Sequence, residues 1–128
     1  MRQIIRHFRK LGENLHDVTV VGHIDQTMAD EQLCISVAVC NHKDYFCKRT
    51  GREIAFKRFA KLKIMLVQYN PGLSMVENMY NAILYSRATK ITTIPNHVLD
   101  LAIDSLVPYV ERQRWNRESK HQGILGIF

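Results

Sequence analysis

Two short runs of β-branched residues constrain the fold of this chain more than any other feature. Residues 18–24 read VTVVGHI, residues 33–39 read LCISVAV, and a polar connection, DQTMADEQ, separates them. Such runs favour β-strands, and a short polar connection favours antiparallel pairing, so the sequence predicts a β-hairpin. In the second run the larger side chains occupy alternate positions, Leu33, Ile35, Val37 and Val39. We expect them to face the core, and the small side chains between them to form a second face that can also be covered.

The excess positive charge lies in residues 43–63, KDYFCKRTGREIAFKRFAKLK, shortly after the second run. This basic segment holds eight Lys and Arg against two acids, a surplus equal to the net charge of +6 of the whole chain. Its start is predicted to be helical, with Asn41 or Asp44 as the N-cap. The residues expected on the inner face of this helix are Cys47, Gly51, Ile54, Ala55 and Leu62. Another side of the helix carries Lys48, Arg49, Arg52 and Phe56.

Two residues of the basic segment depart from ordinary helical patterning. An interior helical glycine costs roughly 1 kcal/mol relative to Ala, so Gly51 is best explained where helix backbone presses close to a strand or a second subunit. Arg58 falls within the apolar face. We therefore expect the helix to end or bend near residues 56–59, or the Arg58 side chain to extend to solvent.

The remaining pattern predicts one more strand and two further helices. Residues 64–67 (IMLV) fit a strand, and YNPG at residues 69–72 is a strong turn signal. Ser74 and Glu77 form a capping box. The apolar residues that follow it at helical spacing are Val76, Met79, Tyr80, Ile83 and Leu84. Pro95 suits the first turn of the last helix, which Pro108 is expected to kink or end.

These elements together predict one α+β domain over residues 1–128. It would consist of a small antiparallel β-sheet packed by the basic α-helix, with two further C-terminal helices. Residues 18–67 would form the hairpin, the basic helix and the third strand, residues 74–118 the helical part and residues 119–128 an apolar-ended tail. Residues 1–16 fit an N-terminal arm or a short helix. No apolar stretch approaches the ~20 residues needed to cross a bilayer, and the N-terminus lacks a secretory signal, so we expect a cytoplasmic protein without membrane contact.

The cysteines and histidines do not form a recognisable reactive site. Three cysteines are an odd number without paired short spacing, which argues against a disulfide framework. Cys40, His42 and Cys47 are close enough in sequence to raise a zinc site, but the usual C-x₂₋₄-C pairs are missing. The chain contains no phosphate-binding glycine loop and no dinucleotide fingerprint. We therefore expect no catalytic activity, no cofactor and no metal.

The basic segment instead predicts an anion-binding site. Its cations are interleaved with the aromatic residues Tyr45, Phe46, Phe56 and Phe59, a mixture suited to neutralising phosphates and stacking bases. The candidate site residues are Lys43, Tyr45, Phe46, Lys48, Arg49, Arg52 and Lys57. Two simpler explanations remain open: the cations can form a solvated helix face, and the phenylalanines can belong to the core. The anion can be nucleic acid, a nucleotide or an acidic protein surface.

Residues 35–59, ISVAVCNHKDYFCKRTGREIAFKRF, resemble a pattern of small bacteriophage accessory proteins. In that pattern a strand ending in A-x-C leads through a polar turn to D-x-F-x-K-x-x-G-R-x-I-A on a helix. The matching residues are Ala38, Cys40, Asp44, Phe46, Lys48, Gly51, Arg52, Ile54 and Ala55. The Thoeris anti-defence sponge proteins look similar in size and in combining a β-sheet with C-terminal helices. The resemblance implies a homo-oligomeric phage protein in the host cytoplasm that sequesters a cyclic signalling nucleotide, with Lys48, Arg49 and Arg52 as phosphate contacts.

Two other functions remain alternatives at this point. The first is a DNA- or RNA-binding phage protein that inhibits a host defence or a transcription factor; its affinity would fall steeply with salt. The second is a protein–protein inhibitor that binds a host defence protein through the apolar tail at residues 124–128.

Overall fold

The computed structural model describes residues 2–25, 31–40, 48–61, 64–90 and 92–125. Within them lie four strands and three helices. In chain order these are β1 (Arg2–Phe8), β2 (Val18–Asp25), β3 (Gln32–Val39), α1 (Lys48–Ala60), β4 (Met65–Gln68), α2 (Met75–Thr89) and α3 (Asn96–Leu125). The strands form one antiparallel sheet in the order β1-β2-β3-β4. The predicted α+β class, the hairpin formed by β2 and β3, and the third predicted strand are confirmed.

The two faces of the sheet carry different kinds of packing, as the alternation in β3 predicts. The face bearing Leu33, Ile35 and Val37 packs against α2 and α3 and forms the larger core. Residues of α2 and α3 that complete this core are Val76, Met79, Ala82, Ile83, Leu99, Ala102, Leu106 and Val110. The opposite face packs against α1 through a smaller cluster that includes Val21 and Ala38. The sheet is therefore a middle layer, with α2 and α3 on one side and α1 on the other.

The N-terminus of α2 is fixed by the capping box that the sequence predicts. The Ser74 side chain accepts a bond from the Glu77 backbone amide, and the Glu77 carboxylate accepts one from the Ser74 backbone amide. The preceding turn is held by Asn78, which is buried. Its side-chain oxygen accepts from the Asn70 amide at 2.8 Å, and its amide nitrogen donates to the carbonyl oxygens of Asn70 and Ser74.

Helix α3 continues through Pro108, so of the two outcomes expected at this proline, a kink or an end, the end does not occur. Its first half contributes to the core, and the Tyr109 ring packs edge-on against Phe8 at 5.2 Å between ring centroids. From Glu111 to Glu118 every residue is exposed, including Trp115 at 67%. The second half of α3 therefore extends beyond the core.

Three local expectations are corrected. Residues 2–8 form an edge strand rather than a helix, because Ile4 and Phe8 reach the core while Arg2 and Arg6 stay exposed at the sheet edge. Charged residues are common on edge strands, since they discourage pairing with other chains. Ile54 was expected on the inner face of the basic helix and is 41% exposed. Leu84 was placed with the apolar face of α2 and is also exposed.

Candidate anion-binding site on α1

Small residues bring α1 close to the sheet. Gly51 lies directly over Thr19 of β2, and a Cβ atom added at Gly51 would overlap the Thr19 hydroxyl oxygen. One turn later Ala55 is fully buried and packs with Val21 and Ala38. The prediction that Gly51 marks a close helix–strand approach is confirmed. Because these contacts fix the rotation of α1, they also decide which of its cations face solvent.

Arg58 is a structural cation and does not belong to the exposed face. Its guanidinium donates a hydrogen bond to the carbonyl oxygen of Val37 at 2.6 Å. Strand β4 pairs only with residues 32–35 of β3, so this carbonyl lies beyond the last β3–β4 pair. Burial lowers the pKa of Arg58 from its ordinary value. Helix α1 ends at Ala60, one residue beyond the stretch 56–59 near which the sequence predicts an end or a bend.

The remaining described cations of α1 lie on its outer side. Arg49, Arg52 and Lys57 are all exposed, and Lys61, just beyond the end of the helix, is exposed as well. Arg49 donates to Glu53 at 3.2 Å, four residues along the helix, with the two side chains 80% and 57% exposed. Exposed pairs of this kind contribute little to stability, so the contact leaves Arg49 able to exchange Glu53 for another anion. We call Arg49, Arg52, Lys57 and Lys61 the basic face.

Several predicted site residues lie outside the described residues. Lys43, Tyr45 and Phe46 fall there, as do the proposed N-caps and the His42 and Cys47 of the considered zinc site. Lys48 begins α1. Across the part of the chain that the structure describes, no group of three or more His, Cys, Asp or Glu side chains is placed to hold a metal ion. The apolar tail at residues 124–128 ends beyond the described residues.

A pocket beside the basic face brings in residues that the sequence did not predict. Gln3, Gly22 and His23 from β1 and β2 line it together with Phe56 and Phe59 of α1, and its volume is about 270 Å³. His23 and Phe59 pack edge to face at 5.3 Å between ring centroids. The sequence singles out Phe56 and Phe59 as aromatics between the cations but not as candidate site residues, and it does not predict Gln3 or His23. A strand assignment for residues 2–8 would have revealed them, because pairing places Gln3 opposite His23.

On the other side of the sheet, Glu77 forms the most buried ion pair of the described residues. Its carboxylate is 3% exposed and accepts two hydrogen bonds from Arg117, at 2.8 and 3.0 Å. The Arg117 bonds lower the pKa of Glu77 below its ordinary value, against the opposing effect of burial, and the bonds from Ser74 lower it further. The two Arg117 bonds join the start of α2 to the second half of α3, which makes this pair structural.

Comparisons with protein-family models, curated proteins and solved structures found no match to this chain. Among the described residues, no helix combines the length and the apolar character needed to span a membrane. The fold and the site define an α+β protein with a cationic helix laid on one face of a four-stranded sheet. Its function has to be argued from those residues.

Proposed function

We propose that this protein is a non-catalytic binding protein that holds a nucleic acid strand on the basic face of α1. The observation that carries the proposal is the exposure of Arg49, Arg52 and Lys57 together on the solvent side of a helix fixed to the sheet by Gly51 and Ala55. Within the described part of α1, Glu53 is the one acidic side chain. Such a group of like charges repels itself and is stabilised when an anion binds to it.

The shape of the site favours an extended polyanion over a small enclosed one. The basic face is a convex helix surface, and among the described residues no Lys or Arg lines the pocket next to it. A phosphate chain can contact several exposed cations in succession, and release of its condensed counterions provides the driving force. A small nucleotide would instead need its phosphates enclosed by cations.

The proposal is tested by charge reversal. Fluorescence anisotropy would measure binding of a labelled oligonucleotide to the wild type and to the double variant Arg49→Glu with Arg52→Glu. We expect at least about tenfold weaker binding, since two phosphate contacts are replaced by repulsion. A matched control, Lys10→Glu with Arg112→Glu, makes the same change in net charge at exposed positions away from α1, one after the end of β1 and one on α3. Equal losses in both variants would contradict a site on α1, and circular dichroism would show that each variant is folded.

A second candidate function is the sequestration of a cyclic nucleotide signal by a phage anti-defence protein. It is supported by the resemblance of residues 35–59 and by the aromatic pocket next to Arg52, which a second copy of the chain can complete in a homo-oligomer. Purifying the protein from cells, denaturing it and examining the released material by absorbance at 260 nm and mass spectrometry separates the two candidates. A stoichiometric small nucleotide supports sequestration, whereas long nucleic acid that high salt removes supports the first proposal.

A further inference from the structure

The pocket between α1 and the β1–β2 end of the sheet has the lining of a site for one flat, uncharged ring. Phe56 and Phe59 provide aromatic surface, and the His23 ring meets Phe59 edge-on. Gln3 adds a side-chain amide, which can both donate and accept hydrogen bonds. Among the described residues, no Lys, Arg, Asp or Glu lines the pocket. This lining suits an uncharged part of a ligand.

The size of the pocket restricts the occupant further. Its volume of about 270 Å³ falls just below the ~300–1,000 Å³ of pockets that enclose drug-sized ligands. A single nucleobase fits this description, whereas a cyclic dinucleotide, with two bases and two phosphates, exceeds it. The pocket is also open to solvent, so a ring can enter while the rest of its molecule remains outside.

The charge next to the pocket identifies what remains outside. Arg52 is exposed and lies four residues before Phe56, and helical side chains at that spacing are neighbours with about 5–6 Å between their Cβ atoms. Arg49 lies one further turn back, on the same basic face. A ligand with an uncharged ring in the pocket and an anionic group at Arg52 has the composition of a nucleotide. Continuation of the anion towards Arg49 requires a chain of nucleotides.

We propose that the pocket lined by Gln3, His23, Phe56 and Phe59 receives one unstacked base of a single-stranded nucleic acid whose phosphates follow the basic face. This inference rests on the proposed function and narrows its partner from nucleic acid in general to single strands. A base within a duplex is stacked and paired, and extracting it requires energy that a binding protein of this size does not supply by charge alone. A single strand offers its bases without that penalty.

The test compares a single strand with a duplex. The probes are a fluorescein-labelled oligothymidylate of about twelve nucleotides, within the ~4–16 that small single-strand-binding folds cover, and a labelled duplex of the same length. We expect the single strand to bind at least about tenfold more tightly than the duplex at equal salt. Equal affinity for the two would overturn the inference.

Pocket variants provide the second arm. Phe56→Leu keeps an apolar side chain of similar bulk but removes the ring, and it is expected to weaken oligothymidylate binding about tenfold while leaving duplex binding unchanged. Its matched control is Tyr85→Leu, which removes an exposed aromatic ring from α2, on the other side of the sheet. Phe59→Ala and His23→Ala should act in the same direction, with thermal unfolding used to show that they are folded. Unchanged single-strand binding in folded Phe56→Leu and His23→Ala would overturn the pocket assignment.

The outcomes separate failure of this inference from failure of the proposed function. Binding of both probes that depends on Arg49 and Arg52 but not on Phe56 or His23 contradicts the base pocket and leaves the basic face intact. If neither the single strand nor the duplex binds at low salt, both the base pocket and the proposed nucleic-acid-binding function are contradicted.

Discussion

The position of α1 on the sheet can be tested through the contact between Gly51 and Thr19. In Gly51→Ala, the added Cβ overlaps the Thr19 hydroxyl oxygen and lies 3.2 Å from the Thr19 Cβ. Thr19 is 2% exposed, and its hydroxyl shares a 3.0 Å hydrogen bond with His7 Nδ1, so it has little room to move. Overpacking of this kind costs about 1–3 kcal/mol, and disturbing the hydrogen bond about 1 kcal/mol more.

Helix propensity acts in the opposite direction. Replacing an interior helical glycine with Ala stabilises a helix by about 1 kcal/mol. The steric effect is larger, so the free energy of unfolding should fall by about 2 kcal/mol. For a chain of this length that corresponds to a decrease in Tm of roughly 8 °C.

A second substitution removes most of the effect. Thr19→Ala takes away the overlapping hydroxyl but keeps the Cβ at 3.2 Å, so the remaining tight contact offsets the gain in helix propensity and adding Gly51→Ala to that variant should be close to neutral. Chemical denaturation followed by circular dichroism would measure all four members of the cycle. If Gly51→Ala stabilises the protein while Thr19 is present, α1 is not pressed against β2 at this point, and the orientation of the basic face is wrong.

Three further predictions concern contacts that hold α1 and α2 in place. Arg58→Met removes the charged donor of the Val37 carbonyl and should lower the free energy of unfolding by about 1–2 kcal/mol in chemical denaturation; no change would show that solvent replaces the guanidinium. Ser74→Ala removes the N-cap of α2 and should lower the free energy of unfolding by about 1 kcal/mol. Chemical denaturation should show a lower midpoint with an unchanged dependence of the free energy on denaturant concentration. The pKa of Glu77 is lowered in the folded state, so its contribution is complete above the ordinary value of 4.5 and is lost as the pH falls through the folded-state value. As the pH falls below about 4.5, the free energy of unfolding of Glu77→Gln should therefore decrease less than that of the wild type. If the free energies of unfolding of the two proteins fall in parallel with pH, the role of Arg117 is contradicted.

Regular alternation made the centre of the sheet predictable from sequence. The large residues of β3 follow a strict period of two, and both faces of this strand are buried as that pattern indicates. In β1 the same period is obscured, because the exposed Arg2 and Arg6 alternate with the buried Ile4 and Phe8 along one face of this edge strand. Charged residues in an edge strand do not prevent its pairing with the neighbouring strand. They do interrupt the alternation of apolar residues by which a strand is recognised in the sequence.

The candidate site was predictable only in part, for a related reason. The helical periodicity predicts Ile54 on the inner face of α1, whereas the close approach to the sheet is made by the small residues Gly51 and Ala55. The rotation that results exposes Ile54 and turns Phe59 towards His23. A pocket formed by residues from three separate elements depends on that docking, which local sequence does not encode.

The most direct test of the central claim is the salt dependence of oligonucleotide binding by the wild-type protein. Anisotropy titrations of the oligothymidylate between about 50 and 200 mM salt give the slope of the logarithm of the association constant against the logarithm of salt concentration. Three to four phosphate contacts on the basic face predict a slope of about −2 to −3, with a shallower slope in Arg49→Glu with Arg52→Glu. A slope near zero, or one that the charge reversal leaves unchanged, would contradict a polyanion-binding role for α1.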